Sequence, residues 1–316
     1  MSNNIDHRIE LRPHQLVPHM QKMIDIQRPF LLHGSPGNAK SSLIQLLAKT
    51  NKLELIDMRL SQYEFIDLRG IPTIIDGKTH WNPPDILPSD DSPPGILFLD
   101  ELGHAEKSTQ SGAFQLILDR RLGGYKLPDH WAICAATNYL TDNAMVEKMS
   151  TALKNRMTHF YIISDVDDWA PWAINEGNVH EAVIGYLRFQ PSMLQAFQNT
   201  SAEEDLTFLR NTDAINTPRT WEWASDLLKA YGVENVDQWF APVAGTIGMP
   251  AATGLRGFVK YYSQLPDLDD LIANPNKYQV PDNQQTKYAL VTGLSARINA
   301  NNFDNVMKFV NKMDPE

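Results

Sequence analysis

The sequence predicts an α/β protein: a three-layer αβα core around a largely parallel five-stranded sheet over residues 1–164, and a smaller helical domain over residues 165–316. Three observations carry this. The short apolar runs Phe30–Leu32, Ile96–Leu99 and Trp131–Ala136 have the pattern of strands buried on both faces. Segments with apolar residues at helical spacing stand between them, so strand and helix alternate. After Ser164 the strand-like runs stop and helical spacing takes over.

In chain order, Leu16, Met20, Met23 and Ile24 mark an amphipathic helix within Ile9–Gln27, which leads to a strand at Phe30–Leu32 that stops at Gly34. A helix begins near Ala39 and runs through Leu43, Leu46 and Leu47, and Leu53–Met58 reads as the next strand. From Ser61 to Pro94 prolines are frequent. There Asp76-Gly77 between extended flanks signals a two-residue hairpin, an excursion from the sheet. Ile96–Leu99 belongs in the middle of the sheet. A helix over Ser108–Leu118, a turn at Gly123-Gly124, a strand at Trp131–Ala136 and a last strand at Phe160–Ile163 follow. Beyond them come helices at Val179–Phe189, at Met193–Phe197 and at Pro218–Tyr231, the last with Thr217 as its cap. Asp165, Asp167 and Asp168 fit either a linker or a helix start.

The chain has 316 residues, 42% of them hydrophobic and 21% charged, the composition of an ordinary folded protein. A net charge of -10 and a pI near 5.4 disfavour a protein that coats nucleic acid, which needs a basic face. Cys134 is the single cysteine, so no internal disulfide is possible. With no apolar run of about 18 residues and no apolar leader in Met1–Glu10, the expectation is a soluble, cytoplasmic protein.

The segment Gly34-Ser35-Pro36-Gly37-Asn38-Ala39-Lys40-Ser41 follows a strand and opens a helix, the context that a phosphate-binding loop requires. Its backbone N–H groups and the positive helix end would cradle the phosphates of ATP. Lys40 would neutralise the β and γ phosphates and the Ser41 hydroxyl would ligate Mg2+, with Ser42 as the second candidate. Ala39 stands where the usual pattern has glycine. If that backbone needs positive φ, alanine costs on the order of 1 kcal/mol, and if it is helical the change is almost free. Taken alone, the loop could also be an ordinary strand-to-helix turn.

The apolar run Gly95–Leu99 ends in Asp100 and Glu101. Asp100 can hold magnesium through water, and Glu101 can orient and polarise the attacking water. Paired acids also occur at ordinary strand ends. Behind a phosphate loop they read as the second half of a nucleotide site.

With these motifs the sequence resembles the AAA+ superfamily, and within it the MoxR-like ATPases of bacteria and phages. Leu99-Asp100-Glu101-Leu102, Leu118-Asp119-Arg120-Arg121-Leu122-Gly123 and Asp67-Leu68-Arg69-Gly70-Ile71-Pro72 are similar to motifs of that group. The resemblance covers most of the chain and implies a P-loop core with a helical lid. It also implies roles for three further residues. Asn138 matches the sensor 1 residue that helps position the hydrolytic water; it could equally be a strand-end turn residue. Arg156, in Ala152-Leu153-Lys154-Asn155-Arg156-Met157, matches the arginine finger offered to a neighbouring subunit, with Lys154 as rival and a solvated arginine as the bland reading. Arg219, in Thr217-Pro218-Arg219-Thr220-Trp221, matches sensor 2 of the lid; against the helix dipole it is unfavourable there without a function.

The implied activity is ATP hydrolysis by a homo-oligomeric ring of six subunits that remodels a protein partner, such as a protein with a von Willebrand factor A domain. Two other readings are a nucleotide-dependent assembly scaffold with little turnover and a DNA-linked loader or motor, the latter at odds with the acidic balance. His33 and His104 lie beside the two motifs without metal-ligand spacing, which points to supporting or packing roles. Trp221, Trp223, Tyr231, Trp239 and Phe240 read as helical core. Arg120, Arg121 and Lys126 form a basic spot at the Gly123-Gly124 turn, most simply a solvated one.

Overall fold

A computed structural model describes residues 8–139, 154–196 and 212–313. Ala152, Leu153 and Phe197, named above, lie outside the described residues. The chain divides into two compact units, Met1–Ile163 and Ser164–Glu316.

In the first unit the strands are β1 (Glu10–Leu11), β2 (Phe30–His33), β3 (Glu54–Arg59), β4 (Ile71–Ile75), β5 (Lys78–Asn82), β6 (Gly95–Asp100), β7 (Arg121–Leu122), β8 (Tyr125–Lys126), β9 (Trp131–Thr137) and β10 (Thr158–Ile162). The helices are α1 (Pro13–Asp25), α2 (Lys40–Asn51), α3 (Phe65–Arg69) and α4 (Lys107–Asp119). Among the described residues six strands form one parallel sheet in the order β1-β10-β2-β9-β6-β3. This corrects the expected count of five. The sixth is β1, a two-residue strand that pairs with β10 at the sheet edge, inside the segment expected to be helical from Ile9.

Alternation along the buried strands makes the three layers. Phe30, Leu32, Ile96, Phe98, Cys134 and Ala136 pack with Leu16 and Met20 of α1 and Leu43, Ile44 and Leu47 of α2. Their chain neighbours Leu31, Leu97, Leu99, Ile133 and Ala135 pack on the opposite face with Ala113, Leu116 and Ile117 of α4. Apolar residues at both parities are what a strand covered on two sides requires. Because the strands are parallel, the loops after β2, β9, β6 and β3 emerge at one edge of the sheet, and the site is built there.

The excursion at Asp76-Gly77 is a hairpin, β4 against β5, with positive φ at both turn residues (50° and 72°) as the tight mirror-image turn demands. Gly70, at φ 86°, connects α3 to β4 where a Cβ would lie 1.8 Å from the Asn82 carbonyl oxygen. Ile71, Ile74 and Ile75 on this hairpin are exposed. The basic spot beside the second hairpin is different from the expected solvated turn. Arg120 turns inward and donates to the carbonyls of Pro128 and Trp131, each at 2.6 Å. Lys126 pairs with Asp129 at 3.1 Å but is exposed, as Arg121 is, so only Arg120 of the three departs from a solvated position.

The second unit contains α5 (Val166–Asn175), α6 (Glu181–Phe189), α7 (Pro218–Tyr231), α8 (Val236–Ile247), α9 (Met249–Tyr262), α10 (Leu268–Ala273), α11 (Gln284–Arg297) and α12 (Phe303–Val310). Asp165 caps α5 by accepting from the amides of Asp167 and Asp168, which makes the acidic run a helix start. Thr217 caps α7, with Pro218 in its first turn. Pro191–Leu194 is a short 3-10 turn where a helix from Met193 was expected. Trp221 and Trp239 are fully buried, as a core assignment requires, but Trp223 and Tyr231 are 54% and 41% exposed and do not belong to the core. Among the described residues no helix is long and apolar enough to cross a membrane.

Candidate nucleotide site

The loop between β2 and α2 is anchored at both ends of its turn. The Gly34 amide donates to the Thr137 carbonyl at the end of β9, and the Asn38 side chain, itself buried, donates to the Ile162 carbonyl at the end of β10. Gly37 has φ 80° and Ala39 has φ 55°, ψ 19°. The backbone before Lys40 is therefore left-handed, the costlier of the two alternatives for alanine, at about 1 kcal/mol.

Lys40 is buried and its ammonium donates to the Gly34 and Ser35 carbonyls, at 2.5 Å and 3.0 Å, and to Asn138 Oδ1 at 2.8 Å. That last contact joins the loop after β2 to the loop after β9, its neighbour in the sheet. Ser41 Oγ donates to Asp100 Oδ2 at 2.8 Å, which joins the start of α2 to the end of β6. Ser42, one position along α2, is exposed. The structure thus brings Gly34–Ser41, Asp100 and Asn138 into direct contact, with Glu101 next in chain.

Glu101 also has a left-handed backbone, φ 56°, and its amide donates to Asp100 Oδ1 at 2.8 Å. Its carboxylate accepts from the Ser61 hydroxyl. Ser61 lies just past β3, and β3 pairs with β6 so that Arg59 stands opposite Asp100. Nothing in the local sequence singles Ser61 out; its place follows from that register.

The electrostatics are those of a crowded acidic edge beside one buried cation. Burial raises the Asp57 carboxyl above its ordinary value, and the charge of Asp100 adds to this. Burial lowers His104, opposed by Glu101 and Asp100 and reinforced by Lys40. His33, at the end of β2, is lowered to about 3, first by burial and then by His159, whose Nδ1 is 2.8 Å from His33 Nε2. Arg156 is exposed in the turn before β10, and Arg219 is exposed in the first turn of α7 in the second unit.

The donor set fits magnesium. The Ser41 hydroxyl donates its hydrogen bond to Asp100, which leaves an oxygen lone pair for a hard cation while the carboxylate supplies charge behind it. The fit to phosphate is equally direct, since a buried ammonium and the N-terminal amides of α2 meet at one place.

Residues 29–157 match the AAA domain family, dynein-related subfamily. This segment is an AAA+ ATPase domain. It runs from just before β2 to just before β10, and so holds the phosphate loop, Asp100, Glu101, Asn138 and Arg156. The domain makes the protein an ATP-hydrolysing enzyme. Among solved structures, the chain is similar to NtrX from Brucella abortus in complex with ADP, at 10% identity over 78% of this chain and 67% of that one, with a TM-score of 0.40. It is also similar to a protein from Cytophaga hutchinsonii described as an ATPase, at 13% identity over 97% and 91%, TM-score 0.40. The RuvB Holliday junction branch migration motor of Thermotoga maritima matches at 12% identity over 89% and 67%, TM-score 0.34. Likenesses this distant transfer no property to the chain.

Proposed function

We propose that the protein is a MoxR-type ring ATPase that couples ATP hydrolysis to the remodelling of a protein partner. The observation that supports this best is the pair of 2.8 Å contacts, Lys40 to Asn138 and Ser41 to Asp100, which draw three strand ends around one point. In this reading the phosphates lie on the amides of residues 34–41, and the ammonium of Lys40 exchanges its carbonyl partners for phosphate oxygens. Ser41 and Asp100 would hold magnesium, which when bound supplies positive charge against the phosphates. Glu101 accepts a proton from the attacking water, and Asn138 offers that water its carbonyl oxygen. By resemblance to the group, Arg156 is the arginine finger offered to a neighbouring subunit and Arg219 the sensor 2 residue; a finger that acts in trans implies a homo-oligomeric ring, a hexamer by the same resemblance. A protein with a von Willebrand factor A domain is the proposed partner.

Steady-state phosphate release by the wild type and by Glu101→Gln tests this. Turnover in the wild type that falls at least a hundredfold in Glu101→Gln is expected. Equal, near-zero rates would favour a second reading, a nucleotide-dependent scaffold with little turnover. Two observations favour that alternative: the left-handed alanine in the phosphate loop, and the hydrogen bond that holds Glu101 on Ser61.

A further inference from the structure

We propose that His104 is a positioning residue for hydrolysis: it fixes which end of the Asn138 amide faces the reacting phosphate. The inference rests on the reading of Asn138 as the group that orients the attacking water. An ammonium has only donors, so the Asn138 atom 2.8 Å from Lys40 Nζ is its carbonyl oxygen. The other end of the planar amide, Nδ2, then lies 3.3 Å from His104 Nε2. An amide NH2 can only donate, so His104 Nε2 must present a lone pair. The ring is therefore neutral with its proton on Nδ1, an atom that is buried and has no hydrogen-bond partner among the described residues.

The placement of the ring is local. His104 closes the 3-10 turn Leu102–His104, and its amide donates to the Glu101 carbonyl at 2.8 Å. The backbone that aims Glu101 also aims the imidazole. Turning the amide over would set an NH2 against the ammonium of Lys40 and would require the imidazole to move its proton from Nδ1 to Nε2, so Lys40 selects the orientation and the Nδ1–H tautomer of His104 holds it. When Lys40 engages phosphate, its hold on Oδ1 weakens and His104 becomes the contact that keeps the oxygen turned toward the water.

The test is a double-mutant cycle on the full chain with Mg-ATP. His104→Phe removes the acceptor and keeps a ring; the expected result is a kcat lower by roughly tenfold with KM within twofold of wild type. His104→Gln, which restores an acceptor oxygen, should recover much of that loss. Asn138→Ala with His104→Phe should be no slower than Asn138→Ala alone, because His104 acts through Asn138. Thermal melts check folding, and His104→Leu replaces the phenylalanine variant if that one does not fold. A wild-type kcat in His104→Phe, a glutamine variant no better than phenylalanine, or additive losses would overturn the proposal. A slow Asn138→Ala beside a fast His104→Phe removes this inference only. Full turnover in Asn138→Ala removes the water-orienting role and this inference with it.

Discussion

The Ser61 hydroxyl donates to the carboxylate of Glu101, the residue proposed to activate water. A carboxylate so engaged must give up that bond, or share it, before it can take a proton. The bond is partly exposed and worth about 1 kcal/mol, or roughly fivefold in rate. Ser61→Ala should therefore raise basal phosphate release several-fold with unchanged ATP affinity. An unchanged or lower rate would show that Ser61 helps to aim Glu101 instead of restraining it.

Ala39 holds a left-handed backbone in the phosphate loop. Ala39→Gly should relieve about 1 kcal/mol of strain, offset in part by the entropy glycine loses on folding, so urea midpoints should stay level or rise slightly. Ala39→Val, β-branched at positive φ, should cost about 2 kcal/mol. A valine variant as stable as the wild type would mean that the loop can adopt a helical φ there.

The His33 ring contributes a definite sign to the acid stability. Its folded value of about 3 lies below the ordinary value of 6.5, so between the two the unfolded chain carries a proton that the folded chain refuses. The contribution is complete above 6.5 and is lost progressively as pH falls toward 3, at up to about 1.4 kcal/mol per pH unit. His33→Gln should flatten the pH dependence of the unfolding midpoint across that window. Parallel profiles for wild type and variant would contradict it.

Arg120 fills two carbonyls with one guanidinium. Arg120→Ala should cost about 2 kcal/mol in denaturant unfolding, because the Trp131 carbonyl loses the guanidinium donor and the Pro128 carbonyl keeps only the Trp131 amide. Arg121→Ala, at an exposed position, should stay within about 0.5 kcal/mol.

What the sequence made legible was local. Apolar runs at both parities mark β2, β6 and β9, and Asp76-Gly77 marks its hairpin, because burial on two faces and a turn with two positive φ values are written in adjacent residues. What it hid depends on partners far along the chain. The two residues of β1 are strand only because β10 lies beside them. Ser61 meets Glu101 only through the β3–β6 register, and Arg120 turns inward only because Pro128 and Trp131 come back beneath it. The site divides in the same way. Lys40, Ser41, Asp100 and Asn138 each stand at a recognisable strand or helix end, but their contacts require β2, β9 and β6 to be neighbours, which no single motif states. Trp223 looked like core because an aromatic residue on a helix is usually buried; its exposure follows from which face of α7 packs inward, the face of Trp221, Ala224 and Leu228.

The central claim is that the loop carrying Lys40 and the acids after β6 bind one nucleotide together. Titration calorimetry with Mg-ATP tests it most directly. The expected result is saturable heat for the wild type and for Glu101→Gln, and its loss in Lys40→Ala. No heat with the wild type, or undiminished binding in Lys40→Ala, would contradict it.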